Sequence, residues 1–424
     1  MKRILILTAD VGFGHISAAN AIREALETRH GHACQVEVVN PLQSQAAPRL
    51  MRHNARDYDR LVRRWPRVYG LAYNATNRRF TNSLVNQAYT SLLQAALRRL
   101  LVTGAPDLVI TTYPYYQSPL AAICRELPAP PRILTVVTDF VTVHRAWFHA
   151  GADFCCVPTA DAARRAVSYG FDPHNIRITG IPVHPDIGRI RAAKQDVRRA
   201  LGWRTDLPTL LVMGSKRVDR LPGLLQQINA ARLPLQLGVV CGGDEALYRV
   251  LNQMTWTRPV HIYGFSNDVP RLMHAADWVM SKAGGLTTAE ALACGRPLLF
   301  IGTIPGQERG NAEYVVRHDA GVMVETGAET VRLLRHWTGL GDAEPRRLAV
   351  EARRLGRPHA AHDIAAQAWT MLEHAGNTFA PNGVTVQMTT HADVGLHKLR
   401  RGQTRLPAMT VRRSVGRGTT NNHE

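Results

Sequence analysis

Acidic residues are scarce in this chain of 424 residues: 33 Asp and Glu stand against 52 Lys and Arg, a formal net charge of +19. That deficit says nothing about fold but favours partners with negative charge: nucleic acid, an anionic membrane surface or an acidic small molecule. Arginine dominates the excess, which suits phosphate. Cysteine is sparse as well. Cys34, Cys124, Cys155, Cys156, Cys241 and Cys294 form no C-x-x-C pair and no metal-ligand spacing. Most lie in apolar runs, so free buried thiols in a reducing cytosol are expected rather than disulfides. Long apolar runs are absent: no segment reaches about 20 apolar residues, so no membrane-spanning helix is expected. The run Ile4 to Leu7 behind Lys2-Arg3 is interrupted by Asp10, too short for a signal peptide. Any lipid contact is then expected from the surface, on the cytoplasmic side. Asp57-Tyr58-Asp59 has the outward form of a cation-binding D-x-D, yet it sits among arginines and reads as charge balance.

What is present is a globular composition, 45% hydrophobic and 20% charged, over a length that exceeds one ordinary core. Two α/β domains and a tail are expected. Ile4 to Leu7 reads as a buried first strand, followed by a loop with Gly12 and Gly14 and a helix from Ile16 to about Arg29. Rossmann dinucleotide proteins open in the same way, but here Ser17 replaces the third glycine of their fingerprint. His15 falls at the carboxyl end of that strand, where open α/β sheets bind ligands; a packing or capping role fits a lone histidine equally well. Gln35–Val39, Asp107–Thr111, Arg132–Thr138, Phe154–Val157 and Ile176–Ile178 continue the sheet. The proline-punctuated Gly180–Pro185 marks a boundary. Strands at Thr209–Met213, Leu235–Val240, Val260–Ile262, Trp278–Met280 and Leu298–Ile301 then imply a second parallel sheet. The expected division is 1–182 with an insertion at 42–103, 183–358, a helix at 359–375 crossing back to the first domain, and a basic disordered tail at 376–424.

The richest stretch is Ser281 to Val316. An apolar run, Leu272 to Val279, reads as a strand leading into it. Then come Gly284 and Gly285, a helix from Leu286 to Cys294, a C-capping Gly295 and Pro297. A glycine pair before a helix N-terminus is an anion site, because bare N–H groups and the helix dipole face the bound group. Thr287 and Thr288 add hydroxyls, and Glu290, one turn on, is placed to accept from two ribose hydroxyls. Gln307, Glu308 and Asn311 gather polar groups suited to a sugar after Pro305-Gly306.

The phrases KAGGLTTAEA and PGQERGNAEYV resemble the donor site of family-28 glycosyltransferases, in particular their diacylglycerol branch, the monogalactosyl- and processive glucosyl-diacylglycerol synthases. The resemblance implies the GT-B architecture, two Rossmann-like domains facing across a cleft. It also implies that Gly284, Gly285 and Thr288 hold a diphosphate, Glu290 the ribose, and Gln307 with Glu308 and Asn311 the hexose. Gly264-Phe265-Ser266-Asn267-Asp268 resembles the uracil-reading turn, with backbone contacts at Phe265. Gly214-Ser215-Lys216-Arg217 departs from the family's more glycine-rich loop, and Lys216 or Arg217 would replace its phosphate contacts by direct charge. In the first half, Gly12 to Ala19 matches the family's GxGHxxAA. Asp139, His144, Trp147 and His149 match a T-D…H…W-x-H pattern that, with Gly14, would line the acceptor mouth.

The implied reaction is transfer of a hexose from UDP-galactose or UDP-glucose to the hydroxyl of diacylglycerol, with inversion. His15 would be the base, and Asp139 would orient either His15 or the acceptor. Leaving-group charge would fall on N–H groups from Gly284 through Leu286, Thr287 and Thr288, with Lys282 or Arg217, so no metal or other cofactor is expected. Nucleic acid is not an expected partner. Arg56, Arg60, Arg63, Arg64 and Arg67 flank Trp65 at helical spacing, as a helix lying on an anionic membrane requires; a solvated basic face is the alternative. Two further readings stay open: a UDP-sugar enzyme with another acceptor, such as a lipid II-type transferase or an epimerase, and a catalytically silent nucleotide-sugar-binding membrane protein. Choice of hexose and oligomeric state are not legible.

Overall fold

A computed structural model describes residues 1–10, 13–44, 47–48, 60–62, 64–339 and 343–374. Expectations placed on Gly12, Arg56, Arg63, Asp57 to Asp59 and the tail fall outside these residues. The six cysteines are free and buried or half-buried.

Hydrophobic strands alternate with amphipathic helices, and the strands assemble into two all-parallel sheets, each buried on both faces. The first comprises β1 (Lys2–Leu7), β2 (Cys34–Val39), β3 (Leu108–Thr111), β4 (Arg132–Val136), β5 (Phe154–Val157) and β6 (Ile176–Ile178), in the order β2-β1-β3-β4-β5-β6. The second comprises β7 (Thr209–Met213), β8 (Gln236–Val240), β9 (Val260–Tyr263), β10 (Trp278–Lys282), β11 (Leu298–Gly302) and β12 (Gly321–Met323), in the order β12-β11-β10-β7-β8-β9. β12, three residues long, is an addition to the five strands expected. The run Leu272–Val279 is not one strand: a helix, Val269–Ala275, ends before β10 begins at Trp278. Leu272 and Met273 are its buried face, and apolar runs this short do not distinguish helix from strand.

The helix after β1 starts earlier than expected, at Phe13, so Gly14 and His15 belong to its first turn. Helices Pro66–Thr76 and Arg79–Gly104 fill the insertion between β2 and β3. The final helix, Ala360–Glu373, returns to the first sheet, where Ala361, Ile364, Ala365 and Ala368 join the core under β1, β3 and β4. No helix among the described residues is long and apolar enough to cross a membrane.

Candidate active site at the junction of the two sheets

The two sheets meet through the carboxyl ends of their strands, and the residues following β4 make the closest contacts. Thr138, Asp139 and Phe140 each do something different. The Thr138 hydroxyl lies 3.2 Å from His15 Nδ1, and a Cβ on Gly285 would fall 2.3 Å from the Thr138 carbonyl oxygen. Gly285 is therefore glycine because first-domain backbone presses on it. Phe140 N–H donates to Asn311 Oδ1 at 3.1 Å. Asp139 Oδ2 accepts from Trp147 Nε1 at 3.2 Å, and the carboxylate also takes a hydrogen bond from Gln307.

His15 is half-buried, its ring edge-on to Tyr113 at 5.5 Å and 6.1 Å from Trp147. Burial lowers its pKa to about 4; a Thr112 backbone hydrogen bond opposes the shift, and the charge of Arg217, from the second domain, adds to it. The imidazole is neutral at physiological pH. Thr138, not Asp139, is the partner of its Nδ1. Asp139 is itself pushed up to about 6, chiefly by burial, against hydrogen bonds from Trp147 and Gln307.

The donor side follows from a bulge. β10 and β11 change register between Ser281 and Lys282, and the chain turns through Ala283 and Gly284 into the helix Gly285–Ala293. That helix has no side-chain cap and no acid in its first turn, so its leading N–H groups and dipole point at the junction, toward Gly14, which lies across from Leu286. Thr287 is half-exposed there, whereas Thr288 is wholly buried with its hydroxyl unpartnered. Glu290 is buried, and burial raises its pKa to about 8. No described residue donates a hydrogen bond to its carboxylate.

All three residues expected at the hexose make contacts inside the protein. Glu308 pairs with Lys282 through Oε1 and accepts the Ile304 N–H at 3.0 Å through Oε2. Asn311, fully buried, accepts from Phe140 N–H and donates to the Ala283 carbonyl at 2.9 Å. Gln307 hydrogen-bonds Asp139 and accepts from Tyr69, and Lys282 is ion-paired with Glu308. Gly214 packs on β8, where a Cβ would fall 2.8 Å from the Val240 carbonyl oxygen; the charge of Arg217, beyond it, is felt at His15. The Phe265 side chain is 63% exposed.

The acceptor-side residues separate. Trp147 is core, with its N–H on Asp139. His144 is buried with both nitrogens occupied: Nδ1 accepts from Ala146 N–H at 3.1 Å and Nε2 meets the Thr76 hydroxyl at 3.3 Å. Through Thr76 it holds the helix Pro66–Thr76. His149 is not brought to the junction; its Nδ1 accepts from Gly151 N–H and its neighbour is Arg125. Tyr69, Tyr73 and Thr142, by contrast, line the junction without any sequence motif to flag them, and Thr138, the first residue of the T-D…H…W-x-H pattern, joins them. Arg60, Arg64 and Arg67 are exposed, as are Trp65 (59%) and two residues not foreseen, Leu71 (71%) and Phe80 (75%). Among the described residues one His/Asp/Glu cluster has metal-like proximity, Glu24, His184 and Asp186, and it includes no residue of this site.

Residues 15–183 match the monogalactosyldiacylglycerol synthase family, and residues 210–363 match the C-terminal domain of glycosyltransferase family 28. A probable chloroplastic monogalactosyldiacylglycerol synthase 2 of Oryza sativa is 32% identical over 373 residues, 86% of this chain and 79% of the relative. Among solved structures, Acinetobacter baumannii MurG superposes with TM-score 0.55 at 17% identity, covering 88% of this chain and all of MurG. The calicheamicin glycosyltransferase CalG4 gives 0.54 at 14%, covering 87% and 98%. The architecture of the two sheets is GT-B.

Proposed function

Because the chain belongs to the monogalactosyldiacylglycerol synthase family of glycosyltransferases, we propose that it moves galactose, in preference to glucose, from a UDP-sugar to the free hydroxyl of 1,2-diacylglycerol with inversion. One observation carries the chemistry: Thr138 touches the neutral imidazole with its side chain and the phosphate-type helix start with its backbone. Base and leaving-group site are thereby one residue apart, as direct displacement demands.

The acceptor hydroxyl gives its proton to His15 and its oxygen bonds to the anomeric carbon. The bond to the diphosphate breaks, and UDP departs with the electron pair. Its charge is received by the N–H groups of Gly285, Leu286 and Thr287 and by Arg217. Burial is the main reason His15 lies near 4 and so is neutral and able to accept a proton; the diphosphate, by offsetting the charge of Arg217, removes the smaller part of that shift. In this scheme the chain's own groups suffice, without a metal. Glu290 accepts from the ribose hydroxyls. The exposed strip of Trp65, Leu71 and Phe80, flanked by Arg60, Arg64 and Arg67, lies on an anionic bilayer, making the enzyme peripheral on the cytoplasmic side.

The test is radiolabelled UDP-galactose or UDP-glucose with diacylglycerol vesicles, followed by lipid chromatography. A labelled monoglycosyldiacylglycerol is expected, and His15→Ala should lower turnover by about 10²–10⁴-fold while keeping UDP affinity. Consumption of UDP-sugar without lipid would instead indicate an epimerase. Binding of both ligands with no product would indicate a silent sensor.

A further inference from the structure

Gln307 carries an amide, whose two ends are a donor and an acceptor of nearly the same shape. Which end faces which neighbour must be fixed by something, and here the fixing group comes from the other domain. Tyr69 Oη–H donates to Gln307 Oε1 at 3.0 Å, and the Gln307 side chain hydrogen-bonds the Asp139 carboxylate. The carboxylate can only accept, so it takes the NH₂ end, and Tyr69 holds the opposite end of the amide by donating to Oε1.

Tyr69 is held in turn. Its helix, Pro66–Thr76, lies against the loop that carries Gln307. A Cβ on Gly70 would come within 2.9 Å of Pro305 Cβ, and one on Gly306, at φ +83°, within 3.1 Å of the Tyr73 ring. Tyr73 Oη donates to the Thr142 carbonyl at 2.8 Å, and its ring meets His144 edge-on at 5.0 Å.

Resting on the UDP-hexose reading above, we propose that Tyr69 is a positioning residue for the donor sugar, holding Gln307 in the orientation in which it meets the hexose. It acts through Gln307 and touches neither phosphate nor uracil. Its effect is therefore confined to the part of the donor that UDP lacks.

Tyr69→Phe removes one hydroxyl and keeps the ring. Calorimetric titration of wild type and variant with UDP and with UDP-galactose separates the two contributions. UDP affinity should stay within about twofold, while the extra affinity of UDP-galactose over UDP falls roughly 5- to 20-fold. Gln307→Ala should bring the same selective loss, and the double variant should lose no more than either alone. Equal weakening of UDP and UDP-galactose, no selective loss, or losses that multiply in the double variant would overturn the role of Tyr69 alone. Wild type that fails to bind UDP at all would overturn the donor-site reading and this inference with it.

Discussion

Glu290 has a buried carboxyl group with no donor among the described residues, and its pKa of about 8 means that it carries a proton near neutral pH. Two ribose hydroxyls would favour the charged form, so donor uptake should release a proton near pH 7 and affinity should climb as pH rises toward 8, then level off. Calorimetry in two buffers of different ionisation enthalpy reads this directly. Glu290→Gln should release none and bind UDP about 10- to 100-fold more weakly. The same burial opposes folding: the unfolded group ionises near 4.5 and the folded one near 8, so its destabilisation accumulates as pH rises between them. The variant should accordingly melt a few degrees higher at neutral pH and lose less Tm between pH 5 and 8. Short-range spacing could place Glu290 one turn into its helix and gather Gln307, Glu308 and Asn311 beside one another. The bond from Phe140 to Asn311 could not be read, because nothing local marks a partner so far along the chain.

The element with most at stake is the helix Gly285–Ala293. A strand, a glycine pair and a helix start are contiguous in sequence, so the anion site could be read directly. The pressure of Thr138 on Gly285 could not, since the two are far apart along the chain. It yields a prediction: Gly285→Ala places a methyl 2.3 Å from the Thr138 oxygen, a separation that backbone cannot tolerate. The two domains must separate at that point. We expect at least a 10-fold loss of kcat/KM and faster hydrogen exchange at Asp139 and Phe140, with the global Tm little changed. Unaltered exchange there would show that the contact is not maintained in solution. β12 escaped notice for a simpler reason: three residues are too few to carry any periodicity.

On the scale of the whole molecule, the excess of arginine leads to the expectation of an anionic partner, whereas the exposure of Leu71 and Phe80 emerges only in three dimensions. Leu71 and Phe80 lie on successive helices that the sequence does not tie together. Leu71→Ser with Phe80→Ser should weaken binding to anionic vesicles about 10-fold or more, and binding of the wild type should decline with salt. Flotation assays at two ionic strengths distinguish the apolar from the electrostatic share. The return of Ala360–Glu373 to the first sheet ties the end of the described chain to its beginning. Between these two halves stand Thr138, Asp139 and Phe140, which face Gly285, Gln307 and Asn311 together. Were the halves to swing apart, all three links would go in one motion, and a sugar nucleotide loaded on the gaping molecule would find no base within reach. Idle enzyme would then spare its donor from water, and wasteful hydrolysis should stay slow until a lipid alcohol arrives.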